Sequence, residues 1–374
     1  MIGMDRLVAT DFALLAGQRV GVIANPTSVD HRMRHLVDLM HVGGRVSIAA
    51  VFGPEHGFRG SAQAGFSEGP QADARTGLTV YDAYTASEAD WARMFAESGT
   101  QTVVFDIQDV GARFYTYIWT LYDSMCAAAG LGLRYVVLDR PNPLGGNAFG
   151  PVLQRQFGSF VGRREIAQQH GMTVGELARF YNARFLSTPV ELEVVPCAGW
   201  RREALPDLPW VMPSPNMPTM QTALVYPGTG MFEGTMLSEG RGTTRPFELI
   251  GAPGLDHRWA DRLNARNLPG VVFREAYFRP TFQKFADELC AGAEVRVLDV
   301  STFDSIGTAV AMLVEASRYE AFRWREDGWI DKLTGSSRLR TMVDQGADLP
   351  EIAATWRVEL AEFDDQRRPY LLYR

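Results

Sequence analysis

The sequence predicts an α/β fold: a mostly parallel sheet with helices on both faces, followed by a smaller C-terminal α/β domain. Three observations predict it. Short runs of β-branched and aromatic residues, such as Thr102-Val103-Val104-Phe105, are apolar without alternation, as strands buried on both faces of a parallel sheet are. These runs alternate with stretches of helical periodicity, the pattern of repeated β–α units. The chain has 374 residues, 46% of them hydrophobic, enough for two domains with a sizeable core. Residues 1–250 carry the repeated units and the polar motifs, and residues 251–374 read as the smaller domain.

Taken in order, Met4–Gly17 has helical spacing through Leu7, Phe12, Leu14 and Leu15. Arg19–Ala24 is a strand that ends at Asn25-Pro26-Thr27-Ser28, polar where a strand-to-helix loop belongs. His31–His41 is amphipathic and helical. Arg45–Phe52 is the next strand and runs into Gly53-Pro54-Glu55-His56-Gly57, where two glycines let backbone come close to a ligand. Residues 58–74, rich in Gly, Ser and Gln, read as a loop over that point. Leu78–Tyr81 is a short strand and Glu88–Glu97 a helix. Thr102–Phe105 stops at Asp106-Ile107-Gln108-Asp109; Gly111 breaks the chain, and Phe114–Ala129 is helical. Arg134–Leu138 is a further buried strand, ending at Asp139-Arg140-Pro141-Asn142-Pro143. Thr173 and Glu176 have capping-box spacing ahead of the helix Val174–Phe185. Leu192–Pro196 is a strand, and Trp210–Thr219, with its three prolines, is irregular. Beyond Pro253, Leu255–Asn267, Ser305–Tyr319, Ile330–Arg340 and Leu349–Phe363 read as helices, and Val271–Tyr277 and Glu294–Val300 as strands.

In open α/β sheets, ligands bind beyond the carboxyl ends of the strands. Three charged clusters at the ends of successive strands therefore predict one functional rim, where Glu55, Asp106, Asp109 and Glu239 would share a crevice. Other classes are disfavoured. A net charge of −7 argues against a nucleic-acid partner. No apolar run approaches the ~20 residues of a membrane span, and the N-terminal stretch lacks a basic segment followed by an apolar one, so a cytoplasmic protein with no membrane partner is expected. The three cysteines are scattered, and of the six histidines only His31 and His35 have a ligand-like spacing, without a third partner; no metal is expected. There is no GxSxG elbow, no GxGxxG and no P-loop, so serine-type hydrolysis and nucleotide binding are disfavoured.

Carboxylate acid/base chemistry fits best. Glu55, Asp106, Asp109, Asp139, Glu233 and Glu239 all lie at strand ends or in glycine-rich loops. Glycoside hydrolysis needs one carboxyl group to protonate the leaving oxygen and a second as nucleophile or base. Tyr115, Tyr117, Trp119, Trp200 and Trp210 suit stacking on sugar rings, and Asn25, Thr27, Gln108, Asn142 and Asn216 suit recognition of hydroxyl and acetamido groups. The structural alternative for each carboxylate is an ion pair with Arg59, Arg113, Arg140 or Arg241, and about half of the six are expected to be that, since buried carboxylates are paired.

Several segments resemble the family known as domain of unknown function 1343, associated with exo-β-N-acetylmuramidases of the NamZ type. They are Gly21–Ser28, Phe52–Gly57, Phe105–Tyr117, Leu138–Gly146, Pro213–Pro218, Ser238–Thr244, Asp331–Gly335 and Tyr370–Tyr373. The resemblance spans nearly the whole chain and implies a Rossmann-like catalytic domain, a smaller C-terminal domain and no cofactor. It implies release of terminal β-linked N-acetylmuramic acid from the non-reducing end of peptidoglycan fragments. Glu55 is then the first catalytic carboxylate, with Asp106, Asp109 or Glu239 as its partner and His56 or Tyr115 assisting. Asp139 and Arg140 belong to the same rim. Muramic acid carries a lactyl carboxylate, which a guanidinium binds in bidentate fashion; Arg59, Arg113 and Arg241 are the expected clamps. The alternatives are a non-catalytic binder of cell-wall sugars and an enzyme acting on the lactyl ether. At Arg279–Phe285 and Leu289–Ala293 the chain departs from the family's His- and Gly-containing pattern.

Overall fold

A computed structural model describes residues 1–63, 65–203 and 209–374. The first half is a seven-stranded sheet. Its strands are β1 (Arg19–Ala24), β2 (Ser47–Gly53), β3 (Gln71–Ala72), β4 (Thr79–Asp82), β5 (Thr102–Asp106) and β6 (Arg134–Leu138), joined, after the separate pair β7 (Phe149–Val152) and β8 (Ala167–Gln169), by β9 (Glu191–Val195). The spatial order is β3-β4-β2-β1-β5-β6-β9, with only the edge strand β3 antiparallel. The six parallel strands thus follow the doubly wound order 3-2-1-4-5-6, which reverses between β1 and β5.

Alternate residues of the central strands enter two separate cores, which is why these runs are apolar throughout. Val103 and Phe105 of β5, with Tyr135 and Val137 of β6, join one core beneath α3 (Glu88–Ser98), α4 (Tyr117–Gly130) and α5 (Val174–Arg184). Val104, Val136 and Leu138 join the other, beneath α1 (Gly3–Ala9) and α2 (Leu36–Gly43). The first core continues without a break into the second half. There, β10 (Leu249–Ala252), β11 (Val271–Phe278) and β12 (Cys290–Val297) form an antiparallel sheet in the order β10-β12-β11. It is covered by α6 (Met220–Thr229), α7 (His257–Ala265) and α8 (Ser305–Ala316), and the chain closes with α9 (Trp329–Thr334), α10 (Arg338–Asp344), α11 (Leu349–Ala354) and α12 (Arg357–Arg367).

Several expected elements differ, each for a local reason. The first helix ends at Ala9 because Asp11 and Phe12 take left-handed backbone, φ 52° and 59°. The helix expected from His31 begins only at Leu36: the His35 ring caps it, its Nδ1 accepting from the Val37 N–H at 3.3 Å while Nε2–H donates to the Asn25 carbonyl at 3.0 Å. The run 330–340 is broken at Gly335, φ 74°, into α9 and α10. Helix α6 is unexpected because Pro227 and Gly228 lie inside it. Gly228 is required there: a Cβ would come within 1.9 Å of the Ser305 carbonyl oxygen, where α8 starts. No helix among the described residues is long and apolar enough to cross a membrane.

Candidate active site

The loops after β1 and β5 should part at the point where the strand order reverses, leaving a crevice. In this chain they are tied together. Ser28 Oγ donates to the Asp106 carbonyl, the Gln108 N–H donates to Thr27 Oγ1 at 2.9 Å, and Asn25 Oδ1 accepts from Thr27 N–H and Oγ1–H. Only a hollow of about 40 Å³ remains there, bordered by Thr27, Gln108 and Arg140. A larger cavity, about 350 Å³, lies farther along the rim, where the β2 and β5 loops meet the second half of the chain.

Glu55 enters this cavity from a tight turn. The Gly57 N–H donates to the Pro54 carbonyl at 2.9 Å, and His56 between them is left-handed, φ 72°. A non-glycine residue held this way costs about 1–2 kcal/mol, and the following loop supplies the compensation. His56 Nδ1–H donates to the Ala62 carbonyl, and its backbone N–H to the Phe66 carbonyl, both at 3.0 Å. Burial lowers the His56 pKa, opposed by the Glu55 charge beside it. The Glu55 carboxylate accepts from Thr116 Oγ1–H at 2.8 Å and from the Gly65 N–H at 3.0 Å. Thr116 is the N-cap residue of α4, so a negative charge here also faces the positive end of that helix. Tyr84 and Tyr117 flank the site; burial first, and the Glu55 charge second, raise both phenols, Tyr84 to about 12.

The opposite wall comes from the second half. Arg241 lies 2.9 Å from Glu233 and 3.4 Å from Glu239, and Lys284 Nζ lies 2.8 Å from Glu239. Burial works against the Arg241 charge, but the two glutamates more than offset it and raise its pKa. Lys284 also donates to the carbonyls of Phe232 and Leu237, each at 3.0 Å, which uses its three N–H bonds. Arg325 lies over the Trp329 ring, 5.5 Å from its centroid, and its carboxylate partner is the exposed Asp327. Three carboxylates thus face three cations, with Tyr115, Tyr226, Phe247 and Asn216 completing the lining.

Of the residues expected at one site, the cavity therefore gathers Glu55, His56, Tyr115, Tyr117, Asn216, Glu233, Glu239 and Arg241. The others lie elsewhere, each engaged by the fold. Asp106 is fully buried and bidentate with Arg140 (2.6 and 2.9 Å), so it does not share the crevice with Glu55. Asp109 accepts from the Gly111 N–H at 2.7 Å and the buried His170 at 3.1 Å. Asp139 binds the Gly175 N–H, Thr173 and Tyr373, anchoring α5 and the end of the chain; burial raises its pKa to about 6. Arg59 is held by Asp38 and Asp73. Arg113 is completely buried and donates to the carbonyls of Pro151, Ile166 and Leu333. Asn142 bridges the Met172 carbonyl and the Leu144 N–H, and Gln108 binds the Asp109 and Pro141 carbonyls. Of the aromatics, Trp119 is core, Trp200 packs on Tyr373 and Trp210 donates to Met217. No group of three or more potential metal ligands occurs among the described residues.

Two family models match the chain. The N-terminal model of exo-β-N-acetylmuramidase NamZ covers residues 20–221, and the C-terminal model covers residues 224–373. The chain belongs to the NamZ exo-β-N-acetylmuramidase family. A peptidoglycan β-N-acetylmuramidase NamZ of Bacillus subtilis is 42% identical to it over 99% of this chain and 91% of that one. Crystal structures of two DUF1343 family proteins from Bacteroides fragilis cover the whole of it, with TM-scores of 0.91 and 0.79, at 31% and 30% identity. They cover 98% and 99% of their own lengths. The cavity lies where the two NamZ regions meet: Glu55, Tyr84, Thr116 and Asn216 fall in the N-terminal match, and Glu239, Arg241, Lys284 and Arg325 in the C-terminal one.

Tyr84, Thr116, Phe160, Tyr226, Gln283, Lys284, Arg325 and Trp329 line the cavity of this NamZ family member without having been singled out from sequence. For Lys284 a signal existed: the chain has only two lysines, Lys284 and Lys332. An ammonium is compact enough to meet three converging oxygens where a planar guanidinium is not. Arg325 carries no such mark.

Proposed function

We infer that this protein hydrolyses the β-1,4 bond of the N-acetylmuramic acid at the non-reducing end of peptidoglycan fragments. The observation that carries the reading is the contrast among the cavity's carboxylates. Glu233 and Glu239 are tied to cations, whereas Glu55 has only the hydroxyl and N–H donors of Thr116 and Gly65 and no ion-pair partner among the described residues. Glu55 is therefore the group that exchanges a proton: it donates to the leaving glycosidic oxygen as the bond to the anomeric carbon breaks, and then takes a proton from the water whose oxygen bonds to that carbon. Glu239, held ionised by Arg241 and Lys284, is fixed where it offsets the positive charge that develops at the anomeric carbon. Asn216 is assigned to the acetamido group, and Tyr115 and Tyr117 to the ring faces. Arg241 is committed to two glutamates, so the lactyl carboxylate is assigned to Arg325.

Among the described lining residues only Gly65 and Gln283 are exposed, which supports a pocket that takes a chain end. The test is digestion of two defined glycan fragments, one ending in N-acetylmuramic acid at its non-reducing end and one in N-acetylglucosamine. Free N-acetylmuramic acid from the first, and much slower release from the second, is expected. Internal cleavage of either fragment, or no cleavage of the first, would overturn the reading.

A further inference from the structure

The mouth of the cavity is built from two segments, which also carry the Gly65 N–H that holds Glu55 and the Lys284 that holds Glu239. Gly65 and Gln283, the two exposed lining residues, mark it. The Gly65 N–H is bonded to Glu55, so that carboxylate stands just inside the mouth. If Glu55 is the proton donor, as proposed, the departing oxygen is beside it and the sugar bearing that oxygen lies outward, against the mouth.

The first segment, 56–66, ends at Phe66, an aromatic side chain left 67% exposed. The second connects β11 and β12. Within it Gln283, Phe285 and Asp287 are all left-handed, at φ 69°, 57° and 62°, a conformation that costs any non-glycine residue energy. Strain of this kind persists where the surroundings over-determine it, and here they do. Thr281 N–H and Oγ1–H both donate to the Gly242 carbonyl at 2.9 Å, the Asp287 N–H donates to the Pro280 carbonyl at 2.8 Å, and Lys284 is locked by its three acceptors. These contacts explain the segment's course and the placing of Lys284. They give the Gln283 side chain nothing to do: its amide makes no hydrogen bond to any described residue, yet it is carried to the opening on strained backbone.

We propose that Gln283 and Phe66 form the binding subsite for the departing sugar, an N-acetylated amino sugar in β-1,4 linkage to the muramic acid. A primary amide offers two donors and an acceptor, which suits the hydroxyl and acetamido groups of a pyranose, and an exposed aromatic ring suits its apolar face. The subsite holds the aglycone only, so its loss is felt by a substrate that has a sugar there and not by one that lacks it.

The test compares N-acetylmuramyl-β-1,4-N-acetylglucosamine with methyl β-N-acetylmuramide, following free N-acetylmuramic acid. Both leaving groups are alkoxides, so both make the same demand on Glu55. Gln283→Ala, Gln283→Gly and Phe66→Ala are each expected to lower kcat/KM for the disaccharide roughly 3- to 10-fold, the range of one lost neutral contact. The methyl glycoside should change by less than about 2-fold. Gln283→Gly, which relieves the left-handed backbone, should melt no lower than the wild type. Equal losses on both substrates, no loss on either, or a clearly lower melting temperature for Gln283→Gly would overturn the proposal. A wild-type enzyme that releases nothing from either substrate would instead remove the muramidase reading on which it rests.

Discussion

Replacing Asp106 with Asn separates a catalytic carboxylate from a structural one. Asp106 is 0% exposed and Arg140 4%. Their bidentate contact, with a third Arg140 bond to the Val29 carbonyl at 3.1 Å, pins the end of β6 to the ends of β5 and β1. Burial raises the Asp106 pKa and the adjacent Arg140 charge opposes it. Neutralising the carboxylate leaves a guanidinium buried without its counter-charge, which costs about 3–5 kcal/mol. With an unfolding entropy of roughly 2.1 cal/mol/K per residue over 374 residues, about 0.8 kcal/mol/K, that loss lowers Tm by about 5 °C. Calorimetry measures the shift, and kcat/KM at 25 °C measures the chemistry on protein that is still folded. The expected result is a lower Tm with kcat/KM within about 3-fold of wild type, because neither residue lines the large cavity. A double replacement of Asp106 by Leu and Arg140 by Met should recover much of the lost stability, since well-packed apolar pairs often replace buried ion pairs without cost. An Asp106→Asn protein with unchanged Tm and with activity abolished would refute the reasoning.

Arg325→Ala should remove the discrimination for the lactyl group. It should lower kcat/KM for a β-N-acetylmuramide roughly 10- to 100-fold, the loss of a charge-assisted contact of about 1.5–3 kcal/mol, and leave the residual rate on the matching β-N-acetylglucosaminide unchanged. Arg113→Lys keeps the charge but loses the fork that reaches three carbonyls. It should destabilise the protein by about 2 kcal/mol in thermal unfolding, with kcat/KM on folded protein unaltered. Burial lowers the pKa of the Arg113 guanidinium, and the three carbonyls it reaches favour its charged form.

The sheet was legible because buried parallel strands leave a signature that few other elements do. Arg19–Ala24 and Arg134–Leu138 were read to their observed bounds. What a strand-end carboxylate does was not legible. Asp106 and Glu55 both follow a buried run, and nothing local distinguishes the one met by Arg140 from the one met by Thr116. The partners that decide come from distant loops, 34 and 61 positions away. The cavity's far wall was hidden for the same reason: Lys284 and Arg325 lie in segments with no catalytic pattern and reach the site only through folding. The crevice at the β1/β5 reversal, which topology alone favours, was filled by the side chains of Thr27, Ser28 and Gln108.

The role given to Glu55 is tested most directly by changing the leaving group. A sugar alkoxide must be protonated as it departs, whereas a nitrophenolate leaves without help. Glu55→Gln should lower kcat/KM about 10²- to 10⁴-fold on the N-acetylmuramyl disaccharide and far less on the 4-nitrophenyl β-N-acetylmuramide. Equal losses on the two substrates, or a disaccharide rate close to wild type, would contradict the account.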